Sequence, residues 1–223
     1  MVVVILIGIL TMMAIPTMGE ARYNARTLDD ATQIAELYRE GRTRAMGRGA
    51  AMLVQMASAN SFGSVTATPS AASGGLGLFL LYEAQVAGTA AGGSALLPLP
   101  GGSPLSSCGA PATNWASIIT NSAATALMDE INLNKGGEVN AMLWTTLHDG
   151  SASTPAVGSL CYTPLGRAYY QATATPVFTP GVGLFHGELQ IAVQRSETGG
   201  LHPTGLTRTV VVPDSGSTRI VSR

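Results

Sequence analysis

Reactive side chains are scarce in this chain and rarely stand close together. Its thiols are Cys108 and Cys161, and an even pair in an exported domain reads as a disulfide. Zinc or a related metal would need further ligands at short spacing, and none accompanies either cysteine. The histidines are His148, His186 and His202, far apart in sequence and each more readily packed or solvated than ligating. His148-Asp149 sits in a His-Asp-Gly turn typical of strand ends. Pro213-Asp214-Ser215-Gly216-Ser217 superficially suggests a serine nucleophile loop, but it lacks the leading glycine and any oxyanion-hole context. Gly74-Gly75-Leu76-Gly77 follows a loop and opens a strand, so it fails the strand-to-helix context that phosphate binding requires. No enzyme is expected, and no cofactor or metal.

The elements that would carry a function lie elsewhere. Residues 1–19, MVVVILIGILTMMAIPTMG, hold no charge. About 20 apolar residues suffice for a helix to cross a bilayer. The run is too long for a signal-peptide core, and it lacks a basic start and an Ala-x-Ala exit. A charged segment follows at once from Glu20. Within it Ala21, Ala25, Leu28, Ala31, Ala35, Tyr38 and Ala45 recur mostly at three- and four-residue spacing, a helical stripe. Arg22, Arg26, Asp29, Asp30, Glu36, Arg39, Glu40, Arg42 and Arg44 stand opposite, spaced for ion pairs. Gly47 and Gly49, flanking Arg48, are expected to stop the helix.

Charge is concentrated there. Charged residues make up 11% of the chain, against about a quarter in a typical soluble protein. Lys135 is the lone lysine, and the net charge of −1 supplies no field for steering nucleic acid. Six basic residues follow Arg48 (Lys135, Arg167, Arg195, Arg208, Arg219 and Arg223) against eight acidic ones. No aromatic run beside the C-terminal arginines offers bases a stacking platform, so nucleic acid is not an expected partner.

Beyond the helix the period changes. Residues 50–57, 76–84, 139–147, 157–162, 167–172, 184–195, 206–212 and 218–221 are short, rich in β-branched or aromatic residues, and separated by Gly/Pro/Ser/Thr turns. They are expected to be strands. Residues 114–133 are expected to form a second helix, broken near Asn121. Residues 57–75 and 86–107 are low-complexity loops with too few large apolar side chains to build a core. They read as solvated loops, and their Ser/Thr/Pro mixture also suits O-glycans. No N-x-[ST] sequon occurs. Three parts are expected: an apolar membrane or filament-core helix at 1–19, its amphipathic continuation at 20–48, and a β-rich head at 49–223.

The N-terminal residues carry a family resemblance. Val2, Val3, Val4, Ile5, Leu6, Ile7, Gly8, Ile9 and Leu10, followed by Ala14, Ile15 and Pro16, resemble the first helix of type IV pilins and type II secretion pseudopilins. That superfamily joins a Val/Ile-rich run to a central glycine and a proline at the spacing of Gly8 and Pro16. It normally begins with a methylated aromatic residue and a nearby glutamate. Neither is present, as expected of a sequence that starts a few residues inside the mature subunit. The helix end Arg42-Thr43-Arg44-Ala45-Met46-Gly47-Arg48-Gly49 resembles the H-type minor pseudopilins. So does the ending Arg208-Thr209-Val210-Val211-Val212-Pro213, with Gly216 and Thr218-Arg219-Ile220-Val221.

The resemblance implies an α+β fold, a long helix packed on an antiparallel sheet or sandwich head. It implies a structural subunit that waits in the inner membrane and then enters an extracellular filament through Val2–Ile15, with Pro16 as a bend. Its implied partners are copies of itself, the membrane and the assembly machinery. A minor subunit binding a ligand at a filament tip, and an unrelated membrane-anchored β-domain, are the alternatives.

Overall fold

The computed structural model describes residues 2–58, 77–85, 104–109, 112–121, 126–133, 142–147, 158–171, 173, 176–179, 184–185, 187–197, 202–214 and 217–222, with backbone alone at 2–19, 57–58, 77, 120–121, 132, 142–147, 195–197 and 202–204. The fold is the expected α+β arrangement: a long N-terminal helix, α1 (Val2–Arg48), packed on antiparallel sheets. The backbone stays helical through Pro16, so no stretch there is melted. A proline removes its own ladder bond and crowds the preceding turn, and the helix continues past it. Gly49, at φ 68°, ends α1 in the left-handed conformation that frees the chain to turn into the first strand.

One sheet runs β3-β2-β1-β5-β6, built from β1 (Met52–Ser58), β2 (Gly77–Glu83), β3 (Leu127–Asn132), β5 (Gly158–Tyr162) and β6 (Ala168–Gln171). The other runs β4-β7-β8-β9, from β4 (Met142–Leu147), β7 (Glu188–Glu197), β8 (His202–Pro213) and β9 (Arg219–Ser222). All pairings between these strands are antiparallel.

Alternation along β1 and β2 sorts their side chains into two cores. Met52, Val54, Met56, Phe79 and Leu81 join Ala31, Ile34, Ala35, Leu37 and Tyr38 of α1, and the same core takes Ile191, Val193, Val210 and Val212 from the second sheet. Leu53, Leu78, Leu80 and Tyr82 point the other way, onto Trp115, Ile118, Cys108 and Phe178. With both faces covered, β2 reads as the nearly continuous apolar run GLFLLYE.

Two expectations are corrected. Residues 114–133 are not one helix: α2 spans Trp115–Asn121, capped where Asn114 Oδ1 accepts from Ser117 N at 3.1 Å, and residues 127–132 are strand β3. The register against β2 slips at Leu81/Tyr82, leaving Met128 as a bulge. Leu127 and Met128 face opposite cores, and the exposed Asp129 and Glu130 blunt an edge strand. Helical periodicity misled because the bulge breaks the two-residue alternation. The end of the 86–107 segment is not solvated loop either. Ala51 N donates to Leu105 O at 2.6 Å, Leu105 N to Ala84 O at 3.0 Å, and Leu105 packs on the second core. The rest of that segment, and 59–75, lie outside the described residues.

Cys108 and Cys161 form a disulfide, with Cα atoms 6.0 Å apart and a sequence separation of 53. It ties the strap that carries Leu105 to β5. Trp115 Nε1 donates to the Cys108 carbonyl at 3.0 Å, so the large indole in this layer is polar-satisfied as well as buried.

At Gly41 helix α1 packs tightly on the five-stranded sheet. A methyl there would stand 3.1 Å from Val54 Cγ2 and 3.2 Å from Leu81 Cδ1, both on fully buried side chains. Alanine would gain about 1 kcal/mol of helix propensity, but overpacking typically costs about 1–3 kcal/mol. Gly41→Ala is therefore expected to lower the thermal midpoint, and Gly41→Val to lower it further; a raised midpoint in both would show that this interface has slack. Replacing Cys108 and Cys161 together by alanine is expected to cost about 4 kcal/mol in a denaturant titration, and an unchanged midpoint would contradict it.

Candidate assembly surface

Helix α1 meets the head along part of its length. Thr27, Ala31, Ile34, Ala35, Leu37, Tyr38, Gly41 and Ala45 are buried, whereas Glu20, Ala21, Arg22, Ala25, Arg26, Leu28 and Asp29 are exposed. The expected stripe thus holds at Ala31, Ala35, Tyr38 and Ala45 and fails at Ala21, Ala25 and Leu28. Residues 27, 31, 34, 38, 41 and 45 alternate steps of four and three, and this is the line that docks. Ile34 belongs to it and the buried Leu37 flanks it, and their size was the available signal. Leu28 is left 43% exposed where the helix begins to dock.

The charged face is partly bound into the head. Arg39 donates to the Thr218 carbonyl just before β9. Arg44 pairs with Glu40 one turn back. Arg48 Nε lies 3.2 Å from Glu83 Oε1, a carboxylate only 3% exposed at the end of β2. That pair fastens the last turn of α1 to the sheet, and a glutamate inside an apolar strand gave no hint of it. Thr27, Thr32 and Thr43 donate to carbonyls four residues back, satisfying their hydroxyls within the helix.

Asp30 is half-buried, and its carboxyl is raised to about 6, first by burial and then by the neighbouring Asp29 charge, with Arg26 opposing. Between α1 and the strand ends lies a groove of about 340 Å³, lined by Tyr38, Arg39, Arg42, Met46, Tyr162 and Thr218 among others. Burial holds both tyrosine hydroxyls well above their ordinary range, and at Tyr162 the Arg42 guanidinium opposes the rise. The groove's floor is therefore neutral and aromatic, with guanidinium groups on its wall.

Two of the C-terminal arginines have partners within the head. Arg208 donates to Ser222 Oγ, and Arg219 pairs with Glu188 at 2.7 Å. Arg223, His148, Asp149, His186, Ser215 and Gly216 lie outside the described residues; His202 opens β8. Among the described residues no three His, Cys, Asp or Glu side chains gather as a metal site. Val2 to Leu10, Ile15 and Pro16, the residues expected to drive assembly, all lie on the helical backbone of α1. Among the residues whose side chains are described, which in α1 begin at Glu20, no helix is long and apolar enough to cross a membrane.

No protein-family model matches the chain, and no curated protein matches it. Among solved structures, it is similar to the type IV minor pilin FimU of Pseudomonas aeruginosa, at 13% identity over 90% of each chain and a TM-score of 0.35. A likeness of that degree is too slight to assign this chain anything.

The Asp30 environment fixes the sign of a pH effect. Its folded pKa of about 6 lies above the ordinary carboxyl value of 3.8, so its stabilising contribution is full below the lower value and is lost as pH climbs through the higher. Thermal midpoints are expected to fall between about pH 4 and pH 6 on this account. Asp30→Asn should flatten that decline and be the more stable protein at pH 7. Parallel slopes for the two proteins would refute the assignment.

Proposed function

We propose that this chain is a structural subunit of an extracellular filament of the type IV pilus kind, polymerising through its N-terminal helix. The observation that carries the reading is the continuity of α1. One helix joins residues 2–19, uncharged in sequence, to a segment whose later turns are embedded in two sheets. Eighteen helical residues span about 27 Å, close to the roughly 30 Å of a bilayer's hydrocarbon core. The stalk rests in the inner membrane before assembly, with the head outside it.

On leaving the membrane the stalk needs other apolar surface. Burying one large apolar side chain is worth about 1.5–3 kcal/mol relative to water, so stalks of neighbouring copies gather in the filament axis. Gly8 and Pro16 weaken the helix there and let it bend as it packs. The partners are copies of this chain and the membrane machinery that feeds them outward. Methylation of the mature N-terminal residue and O-glycans on the low-complexity loops belong to the same reading. Within the class, the helix-to-sheet join at Arg42–Gly49 and the C-terminal strand pair support a head of the H-type minor pseudopilin kind.

A charge inside the stalk should be fatal to assembly and harmless to the head. Val4→Asp and Ile9→Asp are each expected to remove the chain from sheared-filament preparations while the Cys108–Cys161 bridge still forms. Sheared filaments containing these variants at normal levels would overturn the proposal.

A further inference from the structure

The helix carries two unmatched features at different heights. Leu28 is 43% exposed, and beside it the exposed Asp29 accepts a hydrogen bond from Gln33 at 3.0 Å. Farther along is the groove of about 340 Å³, with Tyr38, Tyr162 and Met46 as its apolar lining and Arg39 and Arg42 on its wall. Met46 at its rim is 51% exposed, and Leu165, in the turn whose Gly166 backs onto Met46, is 83% exposed. One feature is an apolar side chain with a carboxylate beside it. The other is an apolar hollow with guanidinium groups beside it.

We infer that Leu28 and Asp29 of one copy seat in this groove on the next copy, leucine on the aromatic floor and carboxylate toward Arg39 and Arg42. The inference rests on the filament reading and adds to it a specific contact and a sense of stagger. Charge complementarity chooses the occupant. From Asp29 to Glu36 the charged residues of α1 are all acidic, Asp29, Asp30 and Glu36; from Arg39 to Arg48 they are basic except for Glu40. Both partners keep capacity to pair. The Asp29 carboxylate has several acceptor sites besides the one that Gln33 uses, and Arg39 has five donors, of which the Thr218 carbonyl takes one.

No copy can fill its own groove, because Leu28 and Arg42 lie on the same helix, about 21 Å apart along its axis. Stalks inserted from one membrane all point the same way, so helices meet in parallel and the contact is head-to-tail. Such a contact does not close on itself and propagates as an open polymer.

The full chain, exported by the cells that make it, gives the test. Its native cysteines are bridged to each other, so Leu28→Cys with Thr43→Cys supplies the free thiols, Thr43 being an exposed residue of the groove. Mild oxidation is expected to give a ladder of multimers on non-reducing gels, and neither single variant should do so. Asp29→Arg or Arg39→Glu alone should deplete sheared filaments of the chain, and the two together should restore it. The cysteine pair leaves Arg39 in place, so it holds even if Arg39→Glu weakens the fold. Sheared filaments that contain the cysteine variant but yield no ladder, or stop at dimers, overturn this contact and leave the filament reading standing. Absence of the unsubstituted chain from sheared filaments overturns both.

Discussion

The structure depends on one close approach, that of α1 to two sheets at once. Small residues make it geometrically feasible. Ala31, Ala35, Gly41 and Ala45 carry little or no side chain on the docking side, so the helix backbone sits near enough for Val54, Leu81, Ile191 and Val210 to close around it. Larger residues between them, Ile34, Leu37 and Tyr38, fill the gaps, and Tyr38 meets Phe79 edge-on at 6.4 Å. The two sheets share a core chiefly because the helix supplies the surface common to both.

A second layer stabilises the outer face of the five-stranded sheet, and its logic is different. Much of it comes from irregular chain: the strap at 104–109, the short helix α2 and the segment around Phe178. Irregular backbone cannot satisfy itself, so it borrows partners. Leu105 is bonded into the ends of β1 and β2. The Gln171 side-chain amide bonds the Val177 backbone in both directions, at 2.6 and 3.0 Å, imitating a strand pair at the edge of β6. The disulfide fixes this layer covalently where regular hydrogen bonding is absent.

What the sequence disclosed follows from which signals are local. The long helix, its end at Gly49 and eight of the nine strands were legible because period and turn residues are local properties. Strand β3 was hidden, since its bulge at Met128 answers to β2 rather than to its own neighbours. The Arg48–Glu83 pair joins residues 35 positions apart, and no spacing rule connects them. The groove was equally invisible, being assembled from the helix, the end of β5 and the approach to β9. Leu28 was assigned to the buried face because the stripe was phased from Ala21, where the helix has not yet reached the head.

Helix α1 passes through three residues, Gly49, Ala50 and Ala51, into β1, the middle strand of five, held by β2 on one side and β5 on the other. Tension along the helix therefore enters the head at its most enclosed strand. Drawing β1 out lengthwise shears two ladders together instead of peeling one bond at a time. The bridge on Cys161 anchors β5 from behind, and the Arg39 bond to Thr218 shares load with the second sheet. Pulled from its N-terminus, the head would therefore be loaded at the centre of its first sheet and not at an edge.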